Sequence, residues 1–164
     1  MLHYGAAAQT YRNYKADALV NVAEDILTAS VATPAESDMT ITQSISPTVG
    51  FASAGVWFDY NNKIYVKVTD AANVTMVARI GDRVVDVTRE GTTFMTDAIY
   101  ATDFDTVYTF ELYENGTLVQ TLTYSVTSYV FAMKDSRNEK MTALANALYA
   151  YGKSAEAYKA SLTA

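Results

Sequence analysis

The chain has 164 residues, half of them hydrophobic, carries a net charge of −6 and contains no Cys. A chain of that length buries roughly 70% of its unfolded surface in one compact domain without a covalent staple. The absence of Cys excludes disulfides, thiolate metal sites and a cysteine nucleophile, and with acidic and basic residues intermixed and no basic stripe to neutralise phosphates, nucleic acid is not an expected partner.

In chain order, the first expected element is a helix in the opening "MLHYGAAAQTYRNY". Met1 falls inside a helical pattern already under way, with neither a basic n-region nor an apolar h-region, so this N-terminus does not read as a signal peptide. The expectation is a piece of a longer protein, any export signal lying outside it. No apolar run approaches the roughly 20 residues that span a bilayer, and membrane insertion is not expected. A weaker helical pattern from Lys15 to Ser30 places Leu19, Val22, Ala23 and Ile26 on one side, completing a helical segment over residues 1–30. A loop over 31–39 follows, marked by Pro34 and small polar residues.

From Thr40 to Met133 the chain is rich in Thr, Val and Tyr in short alternating runs, which is strand composition. Strands are expected near residues 51–60, 63–69, 74–80, 83–89, 92–100, 106–114 and 117–126, with turns at Asn61-Asn62, Asp70 to Asn73, Gly81-Asp82 and Asn115-Gly116. About seven strands at this spacing predict an immunoglobulin-like β-sandwich over 40–133. The clearest hairpin is "VYTFELYENGTLVQTLTYSV", where Asn115-Gly116 signals a type I′ turn. A two-residue loop there pairs Tyr113 with Leu118, Leu112 with Val119, Phe110 with Thr121 and Thr109 with Leu122. Both faces are then partly apolar, and each needs a cover: a second sheet on one side and the terminal helices on the other.

The last element is a helix over 136–162, entered through a capping box at Ser136-Arg137-Asn138-Glu139 and carrying Met141, Leu144, Ala145, Leu148, Gly152 and Ala155 as an apolar stripe. It repeats the first helix. Tyr4, Gly5, Ala8 and Tyr11 match Tyr151, Gly152, Ala155 and Tyr158 at one offset and one helical face. A helical glycine costs about 1 kcal/mol relative to alanine. The pattern therefore predicts close backbone approach at Gly5/Ala8 and Gly152/Ala155, the contact surfaces through which the helices pack on each other or on one sheet. The fold class expected for the whole of 1–164 is α+β, mainly β: one sandwich module flanked by N- and C-terminal helices.

The stretch "YSVTSYVFAMKDSRNEKMTALANALYAYGKSAEAY", together with "MLHYGAAAQTYRNY", resembles recurrent modules of large secreted and surface proteins of clostridial Gram-positive bacteria. In those modules a strand ending in Ser-Val-x-Ser-Tyr leads into a helix of the form Leu-x-x-Ala-Leu-x-x-Tyr-Gly-x-x-Ala-x-x-Tyr. The resemblance covers mainly the helices and the last strand, and the sandwich matches in texture only. It implies an exported, accessory, non-catalytic part of an extracellular or cell-surface protein. In a tandem array, the first helix would be equivalent to the final helix of a preceding module.

Signals for chemistry are sparse. His3 is the only histidine and has no second ligand at metal-binding spacing. No Gly-x-Ser-x-Gly occurs, and a Ser-His-Asp triad would have to recruit His3. Two carboxylates suffice for a glycoside hydrolase, yet Asp59, Asp97, Glu111 and Asp135 are scattered and suggest no pair. Asp97, Asp103 and Asp105 stand close enough in sequence for a calcium site but lack the spacing and turn glycine of an EF-hand, so turn caps are the expected role. Asn73 and Asn115 head glycosylation-type tripeptides at positions where turns need Asn anyway. No cofactor is expected.

Aromatic residues carry the one binding signal. Sugar-binding surfaces set Trp and Tyr faces against apolar faces of sugar rings, with polar groups nearby. Trp57, Phe58, Tyr60 and Tyr65 belong to one expected hairpin, and its register decides which point outward. A two-residue loop at Asn61-Asn62 pairs Phe58 with Tyr65 and puts Phe58, Tyr60 and Tyr65 on one face with Lys67. A three-residue loop that includes Lys63 pairs Phe58 with Val66 and leaves Trp57 and Tyr65 outward. Because the helices need a docking surface, the expectation is that they cover these rings and that Trp57 is buried. The leading functional expectation is a non-catalytic structural and interaction module that spaces or displays neighbouring domains of the same polypeptide. A carbohydrate-binding module using Trp57, Phe58, Tyr60 and Tyr65, with polysaccharide as partner, is the alternative, and a glycoside hydrolase stands a distant third.

Overall fold

A computed structural model describes residues 2–15, 33–58 and 61–163. The helical pattern expected between Lys15 and Ser30 lies, beyond Lys15, outside the described residues, as do Asp59 and Tyr60. The chain divides into two compact units. A helical unit draws on Met1–Ser37, Ala101–Asp103 and Tyr129–Ala164; a sheet unit comprises Asp38–Tyr100 and Phe104–Ser128. Among the described residues the protein is an α+β chain, mainly antiparallel β, with nine strands in two sheets and three α-helices. No helix among these residues is long and apolar enough to cross a membrane.

In the sheet unit, one sheet contains β1 (Thr40–Ile41), β4 (Val74–Ile80), β5 (Arg83–Val85), β8 (Tyr108–Glu114) and β9 (Thr117–Tyr124), in the order β1-β9-β8-β4-β5. The other contains β2 (Phe51–Phe58), β3 (Asn62–Val68), β6 (Val87–Glu90) and β7 (Thr93–Thr96), in the order β2-β3-β7-β6. All seven expected strands are present. The run 83–89 is divided at Asp86 into β5 and β6, which belong to different sheets. Alternate residues of the strands are buried, Val74, Met76, Ala78, Phe110, Leu112 and Leu122 in one sheet and Val56, Ile64, Val66 and Phe94 in the other, a β-sandwich-like pattern. Arg89 of β6 ties the two together, its Nη1 donating to Val74 O at 2.9 Å while its guanidinium lies 5.3 Å from the Phe94 ring centre.

The turns follow their chemistry. Asn115 and Gly116 both have positive φ, 49° and 81°, as a type I′ hairpin requires. The register after that turn differs from the expected one. Tyr113 pairs with Leu118 as anticipated, but a bulge then pairs Leu112 with Gln120 and Phe110 with Leu122, leaving Val119 as the extra residue. Val119 and Gln120 are therefore consecutive and both buried. The Gln120 amide is what this shift employs: Oε1 accepts from Phe51 N at 2.7 Å and Nε2 donates to Thr42 O at 2.7 Å. A buried amide with both ends bonded is favourable, whereas an unbonded one is costly. The shift also gathers Phe110, Leu112, Leu122 and Tyr124 on one buried face, while Tyr113 and Leu118 belong to the other.

The second correction concerns the end of the sandwich. Residues 126–133, assigned to the β region by composition, form helix α2 (Val126–Met133). Its N-terminus is a reciprocal cap in which Ser125 Oγ accepts from Ser128 N at 3.0 Å and Ser128 Oγ accepts from Ser125 N at 3.3 Å. That is the capping-box geometry with Ser in place of Glu, and both serines are fully buried.

In the helical unit, α1 (Leu2–Tyr11) ends where Asn13 takes φ 66°. Tyr14 N donates to Gln9 O and Asn13 N to Thr10 O, a Schellman motif that stops the helix. Helix α3 (Glu139–Thr163) starts later than expected because Asn138, not Ser136, is the cap: its Oδ1 accepts from Lys140 N at 3.1 Å and from Met141 N at 3.3 Å. Leu144, Ala145, Ala147 and Leu148 are buried along α3, and Tyr129 OH donates to Met141 Sδ at 3.2 Å.

Candidate functional site

The hairpin β2–β3 adopts neither of the two registers weighed from the sequence. Phe58 pairs with Asn62, Trp57 with Lys63, Val56 with Ile64, Gly55 with Tyr65 and Ser53 with Lys67. The connection is residues 59–61. This pairing differs from the three-residue-loop alternative by an even number of positions, so it keeps the same residues outward, Trp57 and Tyr65. Phe58 has the opposite parity, lies on the side of Val56 and is half-buried. Tyr60 lies outside the described residues.

The outer face of the four-stranded sheet can be laid out as a grid. Trp57 and Lys63 are opposite each other; Gly55, Tyr65, Met95 and Thr88 make the next row, and Ser53, Lys67, Thr93 and Glu90 the one after. Trp57 is 55% exposed, which overturns the expectation of its burial. Tyr65 lies across β2: a Cβ added at Gly55 would sit 2.7 Å from the Tyr65 hydroxyl and 2.8 Å from Cζ. Only glycine leaves room for the ring to lie flat there. Trp57 and Tyr65 are thus diagonal neighbours on one strand pair, positions that typically stand roughly 7–8 Å apart. Around them stand Lys63, Lys67 and Ser53, and neither lysine makes an ion pair among the described residues. Gly55, Lys63 and Met95 were not among the residues singled out from sequence. A glycine opposite a tyrosine is the one signal that was there to find, and it is readable only once the register is known.

Of the other candidates, Glu111, Asp103 and Asp105 have side-chain partners. Glu111 Oε2 accepts from Arg79 Nε at 3.2 Å and from Tyr113 OH at 3.1 Å. The hydrogen bond to Glu111, followed by desolvation, raises the Tyr113 phenol above its ordinary value. Asp103 Oδ1 pairs with Lys159 Nζ at 3.6 Å and its Oδ2 accepts from Thr102 Oγ1, while Asp105 accepts from Thr127 Oγ1. Among the described residues no three His, Cys, Asp or Glu side chains are placed to hold a metal. His3 belongs to α1, and its side chain lies outside what is described.

Helices α1 and α3 do pack on each other, at Tyr4 and Tyr151, whose rings stack with centroids 5.8 Å apart and planes 12° from parallel. Gly152 is buried, and Ala8 and Ala155 are half-buried. Gly5 does not play the expected part: a Cβ added there would meet nothing within 4 Å among the described residues. The aromatic stack, not a glycine, makes that contact on α1. The two glycines should accordingly respond in opposite ways, Gly5→Ala raising stability by about 1 kcal/mol through helix propensity and Gly152→Leu lowering it by roughly 1–3 kcal/mol through overpacking. Thermal denaturation of the two variants checks this, and equal shifts would refute it.

Burial, and then the neighbouring Tyr151, push the Tyr4 phenol above its ordinary 10.0. A raised value means that the native state holds this proton more tightly than the unfolded chain does. The associated stability is fully present below the ordinary tyrosine value and is lost as pH rises through the native one. Stability should therefore fall at alkaline pH, and Tyr4→Phe should flatten that part of the profile. Superimposable alkaline profiles for the two proteins would refute the assignment.

No protein-family model matches the chain, and no curated protein or solved structure matches it significantly.

Proposed function

We propose that the chain is a non-catalytic carbohydrate-binding and interaction module of an exported or cell-surface bacterial protein, built on an immunoglobulin-like sandwich. The observation that carries the reading is Trp57, uncovered on a sheet face beside the flat-lying Tyr65 and flanked by Lys63, Lys67 and Ser53. Apolar rings presented to solvent with hydrogen-bonding neighbours are what sugar recognition asks of a protein surface. The strand orders support the immunoglobulin-like part: β2-β3-β7-β6 follows the A-B-E-D order, and β9-β8-β4-β5 follows G-F-C with a C′ strand added. The interaction part of the reading rests on the matched helices α1 and α3, which suit contact with neighbouring domains of the same polypeptide.

The test is retention of the purified chain on a panel of insoluble polysaccharides, neutral and acidic. Because Lys63 and Lys67 carry no carboxylate partner among the described residues, retention should be stronger on acidic polymers and weaken with added salt. Failure to bind any member of the panel would overturn the carbohydrate reading.

A further inference from the structure

The outward residues of β3 follow a pattern of their own. Lys63, Tyr65 and Lys67 alternate with the buried Ile64, Val66 and Val68, so the solvent side of this strand reads cation, ring, cation. At roughly 3.3 Å per residue the two lysine positions stand about 13 Å apart, with Tyr65 midway between them. The tyrosine lies low across β2, because Gly55 opposite it has no Cβ to lift the ring. Trp57, opposite Lys63, adds a second exposed ring at one end of the line.

This line sets the direction a ligand follows. Across the sheet, the row of Tyr65 continues to Met95 and Thr88 and the row of Lys67 to Thr93 and Glu90, so a crossing polymer meets no further cation and ends beside a carboxylate. Along β3 it meets both lysines and both rings. The lysines are not neutralised from within the sheet. Among the described residues no ion pair joins either of them to Glu90 or to Asp97, which follows the end of β7.

The charges also select the ligand. One carboxylate against an exposed lysine gains little, but two carried on one chain act together with the stacking of a ring between them. Among the described residues this face carries no arginine: Arg89 of β6 has the opposite parity and is engaged with Val74 O and the Phe94 ring. The bidentate clamps that suit phosphate are therefore missing, and the net charge of −6 repels a densely charged polyanion. A polymer with sugar faces to stack and carboxylates spaced along it fits both facts. Resting on the carbohydrate reading above, we propose that the ligand is a linear uronic-acid polysaccharide lying along β3, its carboxylates against Lys63 and Lys67 and a sugar ring between them on Tyr65.

The test is affinity electrophoresis of the whole chain in gels containing polygalacturonate, alginate or hyaluronate, each beside the same polymer with its carboxyl groups esterified. Lys63→Gln, Lys67→Gln and the double variant run in parallel, with circular dichroism to confirm that they keep the wild-type fold. Wild type should prefer at least one acid polymer to its ester. Each single variant should lose about twofold to fivefold in affinity for the acid form, the size of one exposed ion pair, and nothing for the ester. The double variant should lose the preference, as should wild type in high salt. Trp57→Ala, by contrast, should weaken both forms alike. Equal binding of acid and ester forms by wild type, or a preference that survives in the double variant, would overturn this proposal and leave the carbohydrate reading in place. Lysine-dependent binding of heparin or single-stranded DNA that is tighter than of any uronic-acid polymer would also overturn it. Binding to no glycan, neutral or acidic, would overturn both readings.

Discussion

Trp57→Ala should abolish retention on the polysaccharide that the wild type binds, while costing about 1 kcal/mol of stability or less. The two halves of this expectation come from one fact, the 55% exposure of the ring. Substitutions of exposed side chains away from caps, cores and strained backbone usually change stability by only a few tenths of a kcal/mol. A central aromatic anchor in a binding face commonly carries about 2 kcal/mol or more, which is roughly a 30-fold loss of affinity. Affinity electrophoresis in gels containing a soluble form of the same glycan measures the second quantity, and urea denaturation the first. If Trp57→Ala instead costs several kcal/mol and leaves binding intact, the ring is a packing element and the sheet face is not the site.

A companion variant separates the platform from the single ring. Gly55→Ala adds a Cβ that would stand 2.7 Å from the Tyr65 hydroxyl and so must lift the tyrosine off the sheet. The three atoms nearest that Cβ all belong to Tyr65. Weakened binding in Gly55→Ala, matched by Tyr65→Ala, is expected if both rings contact the ligand. Unchanged binding in both would restrict the site to the vicinity of Trp57.

The strands and most turns were legible in the sequence because their signals are local. Asn115-Gly116 declares its turn through the positive φ that both residues tolerate. What was not legible depends on partners remote in sequence. The bulge at Val119 exists so that Gln120 can bridge Phe51 and Thr42, residues far away along the chain, and nothing in "GTLVQTL" announces it. Helix α2 was hidden by its composition, since Val, Thr and Tyr favour strands by propensity, and the reciprocal Ser125–Ser128 cap that overrides them lacks the expected Glu. For the candidate site, the sequence supplied the right hairpin and, in one of its two alternative registers, the right pair of outward residues, but neither the register itself nor the exposure of Trp57. That property depends on what packs against the sheet, which periodicity within the hairpin does not encode.

The largest loss of stability should come from Phe110→Ala, and its contrast with Trp57→Ala makes the inner and outer faces of the sheet unit experimentally distinct. Phe110 is 0% exposed. It pairs with Leu122 on β9 and with Ala78 on β4, so it occupies the middle strand of three, and its ring is 6.2 Å from that of Tyr108. Truncating it removes the transfer free energy of a phenyl group and leaves a cavity that close-packed neighbours fill only in part, for a cost of about 3–5 kcal/mol. That is a large share of the roughly 5–15 kcal/mol by which a domain is ordinarily stable. The expected register matters to the size of this effect. Had Phe110 paired with Thr121, as a hairpin without the bulge requires, its neighbour on β9 would be a half-buried hydroxyl, and the substitution would cost less. A measured loss near 1 kcal/mol in urea denaturation would therefore count against the bulged register as well as against the buried face. Full glycan retention by whatever fraction of Phe110→Ala remains folded would show that the core supports the platform and takes no part in binding.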